Sequence, residues 1–146
     1  MDWVNKHLQI VPINTFIDPI FPVENAIITH AHADHAKPGH KNVLATKHTI
    51  EIMKIRYGEN CANNFQELSF NSPLNINGVK VTFFPAGHIL GSTQVLLEYQ
   101  KDKINFTGDF KITKDDTCEN FRTVICDTLV TEATFGLPIF QHPDPE

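Results

Sequence analysis

From Val79 to Phe84 apolar and polar positions alternate, with Val79, Val81 and Phe83 set against Lys80, Thr82 and Phe84. A period of two predicts a half-buried strand over "VKVTFFPAGH". "TQVLLEYQ" and "KINFTGDF" follow as two further strands, joined at Lys101 and Asp102 as a hairpin. Earlier in the chain "NTFIDP", "ENAIITHAH" and "NVLAT" are rich in β-branched residues, and Pro19 and Pro22 separate the first two. "RTVICDTLVTEATFG" predicts one more buried strand. One segment has a different period: in "KHTIEIMKIRYGEN" Ile50, Met53 and Tyr57 fall at helical spacing, with Gly58 placed as a C-terminal cap. The terminal "LPIFQHPDPE" holds three prolines and no periodicity, and is expected to be a linker. The pattern is one of strands with few helices, an α/β (α+β) chain without internal repeats.

Composition narrows the class. A chain of 146 residues, 41% hydrophobic and 20% charged, has the balance of one globular domain. No run approaches the roughly 18 apolar residues of a membrane span. The start, with Asp2 and Trp3, lacks the basic and then apolar stretches of a signal peptide. A cytoplasmic protein with no membrane partner is expected. Cys61, Cys118 and Cys126 are odd in number and show no CxxC spacing, so they read as ordinary reduced thiols. A net charge of -5 argues against wrapping nucleic acid by bulk electrostatics. A polyanionic substrate would need metal ions or a local patch. Lys37, Lys41, Lys47, Lys54 and Arg56 form a modestly basic stretch that suits either a phosphate backbone or plain solvation.

The candidate chemistry is concentrated in "THAHADHAKPGH", residues 29–40. If residues 26–32 are extended, His30 and His32 point the same way and can reach one metal ion. Asp34 and His35 come after the strand, where a turn among small alanines can direct them to a second position. A mixed imidazole and carboxylate set without thiolate suits Zn²⁺, Mn²⁺ or Fe and leans toward a catalytic site. Two further ligands end later strands: His88 after "VKVTFFPAG", and Asp109 after Gly108, which lets the backbone turn sharply. Asp18 ends an apolar strand and is read as the carboxylate that orients a ligating imidazole through its other nitrogen. His7, His40 and His48 sit among polar residues and read as surface groups, although His40 is near enough to the cluster to line a cleft.

"THAHADH", "AGHILGS", "TGDF" and "TEATFG", in this order, resemble the successive motifs of the metallo-β-lactamase superfamily. "AGHILGST" and "TEATFG" are similar to those of its nucleic-acid-processing β-CASP branch, and within it of the bacterial DNA ligase-associated exonucleases, also called mRNA 3′-end processing factor-like proteins. The resemblance runs from Asp18 to Glu132. It implies the N-terminal half of an αββα sandwich over residues 1–136, with 137–146 as a truncated linker toward a missing β-CASP region. It further implies two divalent metal ions, zinc with manganese as the other candidate. His30, His32 and His88 would bind the first, Asp34 and His35 the second, and Asp109 would bridge them. Asp34 would hold or accept a proton from the attacking water, and Glu132 would help arrange ligands or protons.

The activity implied is metal-dependent phosphodiester hydrolysis by a metal-bound hydroxide. The enzyme would be an exonuclease acting on DNA, with RNA as the close variant, in end processing or repair. Its implied partners are the nucleic-acid substrate, a DNA ligase and a helicase. Two ions about 3.5–4 Å apart suit that chemistry because they stabilise both entering and leaving oxygens. The departure from the family is length. The later histidine of the second site has no counterpart, since His142 lies in the proline-rich tail. The fragment is therefore expected to hold a deficient second site, to be inactive alone, and to self-associate through an uncovered apolar face. The alternatives are a thioester or lactone hydrolase of the same superfamily, or a non-catalytic zinc-binding fragment.

Overall fold

A computed structural model describes residues 2–132; the expected linker, His142 and the end of "TEATFG" lie outside the described residues. The chain is α+β and mostly strands, with one α-helix among the described residues. Five strands form the first sheet: β1 (Gln9–Ile10), β2 (Thr15–Ile17), β3 (Asn25–Ile27), β4 (His40–Ala45) and β5 (Ala62–Glu67). They lie in sequence order, β1 antiparallel to β2 and the others parallel. The second sheet follows: β6 (Leu74–Ile76), β7 (Val79–Pro85), β8 (Thr93–Tyr99), β9 (Asp102–Phe106) and β10 (Thr128–Val130). All its pairs are antiparallel except β9 with β10.

Strand alternation sorts the side chains into two cores. Ile17, Ile27 and Leu44 of the first sheet meet Val79, Val81, Phe83, Val95, Leu97, Ile104 and Phe106 of the second in one buried cluster. Their neighbours Ala26, Ile28, Val43 and Ala45 face the other way, against Ile50 and Met53 of α1 (Lys47–Tyr57). The small alanines on that face let the helix approach closely. Thr46 caps α1 by accepting from the Thr49 N–H at 3.5 Å, and Gly58 ends it with φ 97°. Between β6 and β7 the pair Asn77 and Gly78 takes positive φ at both positions, which two-residue hairpins favour.

Across the first sheet an amide ladder runs in one direction. Asn64 donates to Asn42 at 2.9 Å, Asn42 to Asn25 at 2.9 Å, and Asn25 to the Asn14 carbonyl at 3.3 Å. It joins three parallel strands at their N-terminal ends.

Two strand expectations differ from the structure. β3 stops at Ile27 rather than running to His32, because the Thr29 N–H goes to Asp18 instead of to a neighbouring strand and the chain turns at His32, whose carbonyl accepts the His35 and Ala36 N–H groups. The last strand forms only over β10 and is partly exposed, because Gln94 and Pro85 bind the backbone at Arg122 and hold the preceding segment off the ladder.

Candidate metal centre

Strand polarity gathers the candidate residues at one edge. β2 and β3 are parallel, and β7 and β9 are parallel to each other because both oppose β8. Asp18 follows β2, the His30–His35 segment follows β3, His88 follows β7, Asp109 follows β9 and Glu132 follows β10. Each therefore leaves its sheet at a strand's C-terminal end.

Asp18 organises the histidine segment from below. One of its oxygens accepts the Thr29 N–H at 2.7 Å; the other accepts the Thr29 hydroxyl at 2.6 Å and His35 Nδ1–H at 2.8 Å. With its only proton committed to Asp18, the Thr29 hydroxyl can only accept from His30 Nδ1–H, which lies 3.0 Å away. This network assigns both rings the same tautomer, proton on Nδ1 and lone pair on Nε2. A turn then closes the segment, with His35 and Ala36 N–H both donating to the His32 carbonyl.

Three ring nitrogens converge on Asp109. Its Oδ2 lies 3.6 Å from His30 Nε2, 3.6 Å from His35 Nε2 and 3.7 Å from His88 Nε2. His88 Nε2 lies 3.2 Å from His32 Nδ1, and Asp34 Oδ2 lies 3.5 Å from His35 Nε2. His30 is wholly buried, and its Nε2 has no hydrogen-bond partner among the described residues. Buried polar atoms of that kind are rare and call for an explanation. A divalent cation is the partner that fits: one ligand atom each from His30, His32, His88 and Asp109 lies within 4.8 Å of the others. Asp18, His30 and His35 form a second such group, but the Asp18 oxygens are already engaged, so its fitted role is orientation.

Electrostatics agree with a lone-pair donor at the centre. Burial, followed by the neighbouring His35, His88 and His32, pushes His30 down to about 3, so its ring is neutral. The hydrogen bond to Asp18 raises His35, and burial lowers His88.

Two loops bring the second sheet's residues into place. Ser92 Oγ accepts the N–H groups of His88 and Ile89 at 3.0 and 3.2 Å. Gly108 has φ +56°, and a Cβ there would lie 3.0 Å from the Thr29 hydroxyl. Glycine lets Asp109 sit against the Asp18–Thr29–His30 chain without crowding the hydroxyl. Glu132 Oε1 accepts the Phe110 N–H at 3.0 Å, one residue beyond Asp109.

No family model matches the chain. A protein named "Probable DNA ligase" from Opitutus terrae is 30% identical over 137 residues, 93% of this chain and 13% of that protein. An "RNase J-like protein" from Methanocaldococcus jannaschii is 30% identical over 142 residues, 83% of this chain and 34% of that protein. The chain belongs to the β-CASP branch of the metallo-β-lactamase superfamily. A protein of unknown function from Enterococcus faecalis V583 shares its fold, with TM-score 0.51 and 19% identity over 65% of this chain and 26% of that one. The metallo-β-lactamase chain thus spans about a third or less of the curated relatives named here.

Other residues of this β-CASP chain depart from their sequence reading or were not singled out by it. His40 is not a surface group: it is 1% exposed, and its Nδ1 accepts the Val23 N–H at 3.2 Å. Its place at the start of β4, beneath the 19–24 segment, buries it. His7 and His48 are exposed. Within the basic stretch, Lys41, Lys47 and Lys54 face Glu24, Glu51 and Glu59, which offsets part of its charge. No local pattern gives Thr29 or Ser92 a role, although the threonine opens the histidine motif itself. A hydroxyl between two ligand-bearing elements shows its purpose only when both elements are placed.

Proposed function

We propose that this chain carries the metal-binding part of a nuclease that hydrolyses phosphodiester bonds in nucleic acid. The observation that carries the reading is the convergence of the His30, His35 and His88 Nε2 atoms on Asp109 Oδ2, around a buried imidazole nitrogen that has no hydrogen-bond partner among the described residues. His30, His32, His88 and Asp109 would hold one cation, and Asp34, His35 and Asp109 are the donors for a second. A divalent ion so bound supplies Lewis acidity and brings the pKa of water toward about 7.

The chain's own residues supply the rest. Asp18 and Thr29 fix the ring tautomers, so no proton has to leave His30 or His35 Nε2 before a ligand binds. Asp34 is 78% exposed at the mouth, where its carboxylate can accept a proton from an attacking water. Glu132 restrains the backbone beside Asp109 and so helps set the carboxylate's direction. The finer reading is an exonuclease acting on DNA ends, with RNA as the variant; the relatives named for a DNA ligase and an RNase J support one each.

The test uses the longest form of the protein that carries this chain, on end-labelled single-stranded DNA and RNA with Zn²⁺ or Mn²⁺. Metal-dependent cleavage is expected, together with loss of bound metal in His30→Ala by elemental analysis. No cleavage of either nucleic acid, alongside turnover of a thioester, would overturn the nuclease reading. Unchanged metal content in His30→Ala would overturn the ligand set.

A further inference from the structure

Helix α1 touches both halves of the metal centre. At its N-terminal end the Thr46 and Thr49 hydroxyls donate to the Gly91 carbonyl, at 2.7 and 3.3 Å, within the loop that carries His88. At its C-terminal end the Arg56 guanidinium donates to the carbonyl of Ala31, the residue between His30 and His32. Gly91 is pressed against the helix start: a Cβ there would lie 2.9 Å from both His48 Cβ and Thr46 Oγ1. Ala31 is buried, whereas His32 beside it is exposed.

The two loops come from different sheets, His30 and His32 from the first and His88 from the second. Apart from α1, backbone pairing between them includes the Thr93 N–H to Thr29 carbonyl bond at 2.8 Å. Ladder pairing has ended before residues 30–32, so their path is held by the Asp18–Thr29–His30 bonds at one end, the turn at the His32 carbonyl at the other, and the Arg56 bond to Ala31 between them. Among the described residues Arg56 enters no ion pair, unlike Lys41, Lys47 and Lys54, so its guanidinium is committed to this carbonyl and to the Tyr57 ring, 5.7 Å away.

We infer that Arg56 is a positioning residue for the metal ligands: through the Ala31 carbonyl it holds His30 and His32 at the spacing His88 requires, with α1 as the strut between the two loops. The inference rests on the metal reading of this site. An Arg suits the task because its fork can satisfy a carbonyl at the end of a rigid helix while remaining charged at every relevant pH. A lysine can make the same single bond with less geometric control, and an uncharged methionine of similar length cannot make it at all.

The experiment measures Zn²⁺ affinity of the full chain by competition with a chromophoric chelator, for the wild type, Arg56→Met, Arg56→Lys and Thr49→Val. Thermal unfolding of the metal-free proteins is recorded alongside. Arg56→Met is expected to bind Zn²⁺ about 10- to 100-fold more weakly, the usual effect of removing a group that orients ligands. Arg56→Lys should recover part of the loss, while the two metal-free variants melt within a few degrees of each other. Thr49→Val should weaken binding in the same direction from the other end of the helix. Equal affinity of Arg56→Met and the wild type would overturn the inference and leave the metal centre standing. So would equal weakening of Arg56→Met and Arg56→Lys, which is the mark of a bulk structural role. A wild type that binds no Zn²⁺ would overturn the metal reading itself.

Discussion

His30 refuses a proton that the unfolded chain would accept. Its value is pushed from 6.5 to about 3, so between those limits the unfolded state binds more protons and folding loses stability as pH falls. His35 works the other way: its raised value stabilises the fold below 6.5, and that contribution is lost as pH rises through the folded value. Metal-free wild type is therefore expected to lose stability toward acid, and His30→Gln should remove about 2 kcal/mol of the His30 share between about pH 7 and about pH 5. Urea unfolding at the two pH values reads it, and identical pH slopes for wild type and variant would contradict it. Gly108→Ala places a methyl 3.0 Å from the Thr29 hydroxyl at positive φ. A loss of about 1–3 kcal/mol in the same assay is expected. At this scale the sequence was most legible for the candidate donors, which the fold brings together. Residue type and spacing drew attention to His30, His32, Asp34 and His35. The roles of Thr29 and Ser92 depend on contacts across 11 residues or around a loop that no local pattern encodes.

Among the elements, α1 was legible because its apolar period and its glycine cap are local properties. The hairpin β8–β9 was legible for the same reason. β5 was not: "ANNFQE" has poor strand propensity, and it is ordered by pairing with β4 and by the amide ladder through Asn64. "IITHAH" looks extended residue by residue, yet β3 ends at Ile27, because Asp18 takes the Thr29 N–H that a strand would need. The Thr46 hydroxyl serves two purposes, accepting from Thr49 as the α1 cap and donating to Gly91. Thr46→Ala should cost about 1–2 kcal/mol, at the upper end for a cap, measured by chemical unfolding. A change below a few tenths would show that the Gly91 contact is solvated in solution.

For the whole molecule, the two facing sheets were only partly foreseen. An α+β chain of strands with a site at one sheet edge follows from the pattern and the resemblance. That both sheets are already present within residues 2–132 does not, because sheet order is set by long-range pairing. α1 covers the outer face of the first sheet; on the second sheet Leu129 of β10 is 56% exposed, and nearby in sequence Ile125 is 88% exposed. Self-association through this region is expected, read as a dimer mass by light scattering. Leu129→Lys combined with Ile125→Lys should return it to a monomer, and a monodisperse wild-type monomer would count against the expectation. No helix among the described residues is long and apolar enough to cross a membrane.

The candidate donors come from both sheets, His30 and His32 from one and His88 and Asp109 from the other. An ion held between His30 and Asp109 would close a ring of about 80 residues, much as a disulfide does, but with a bond that a chelator can open. Chain-entropy reckoning puts such a closure at about 4–5 kcal/mol, a large share of the stability of a domain this size. Metal supply would then govern how long the protein survives proteolysis as well as whether it can act. Where such an ion is scarce, the first thing lost would be the molecule, ahead of its chemistry.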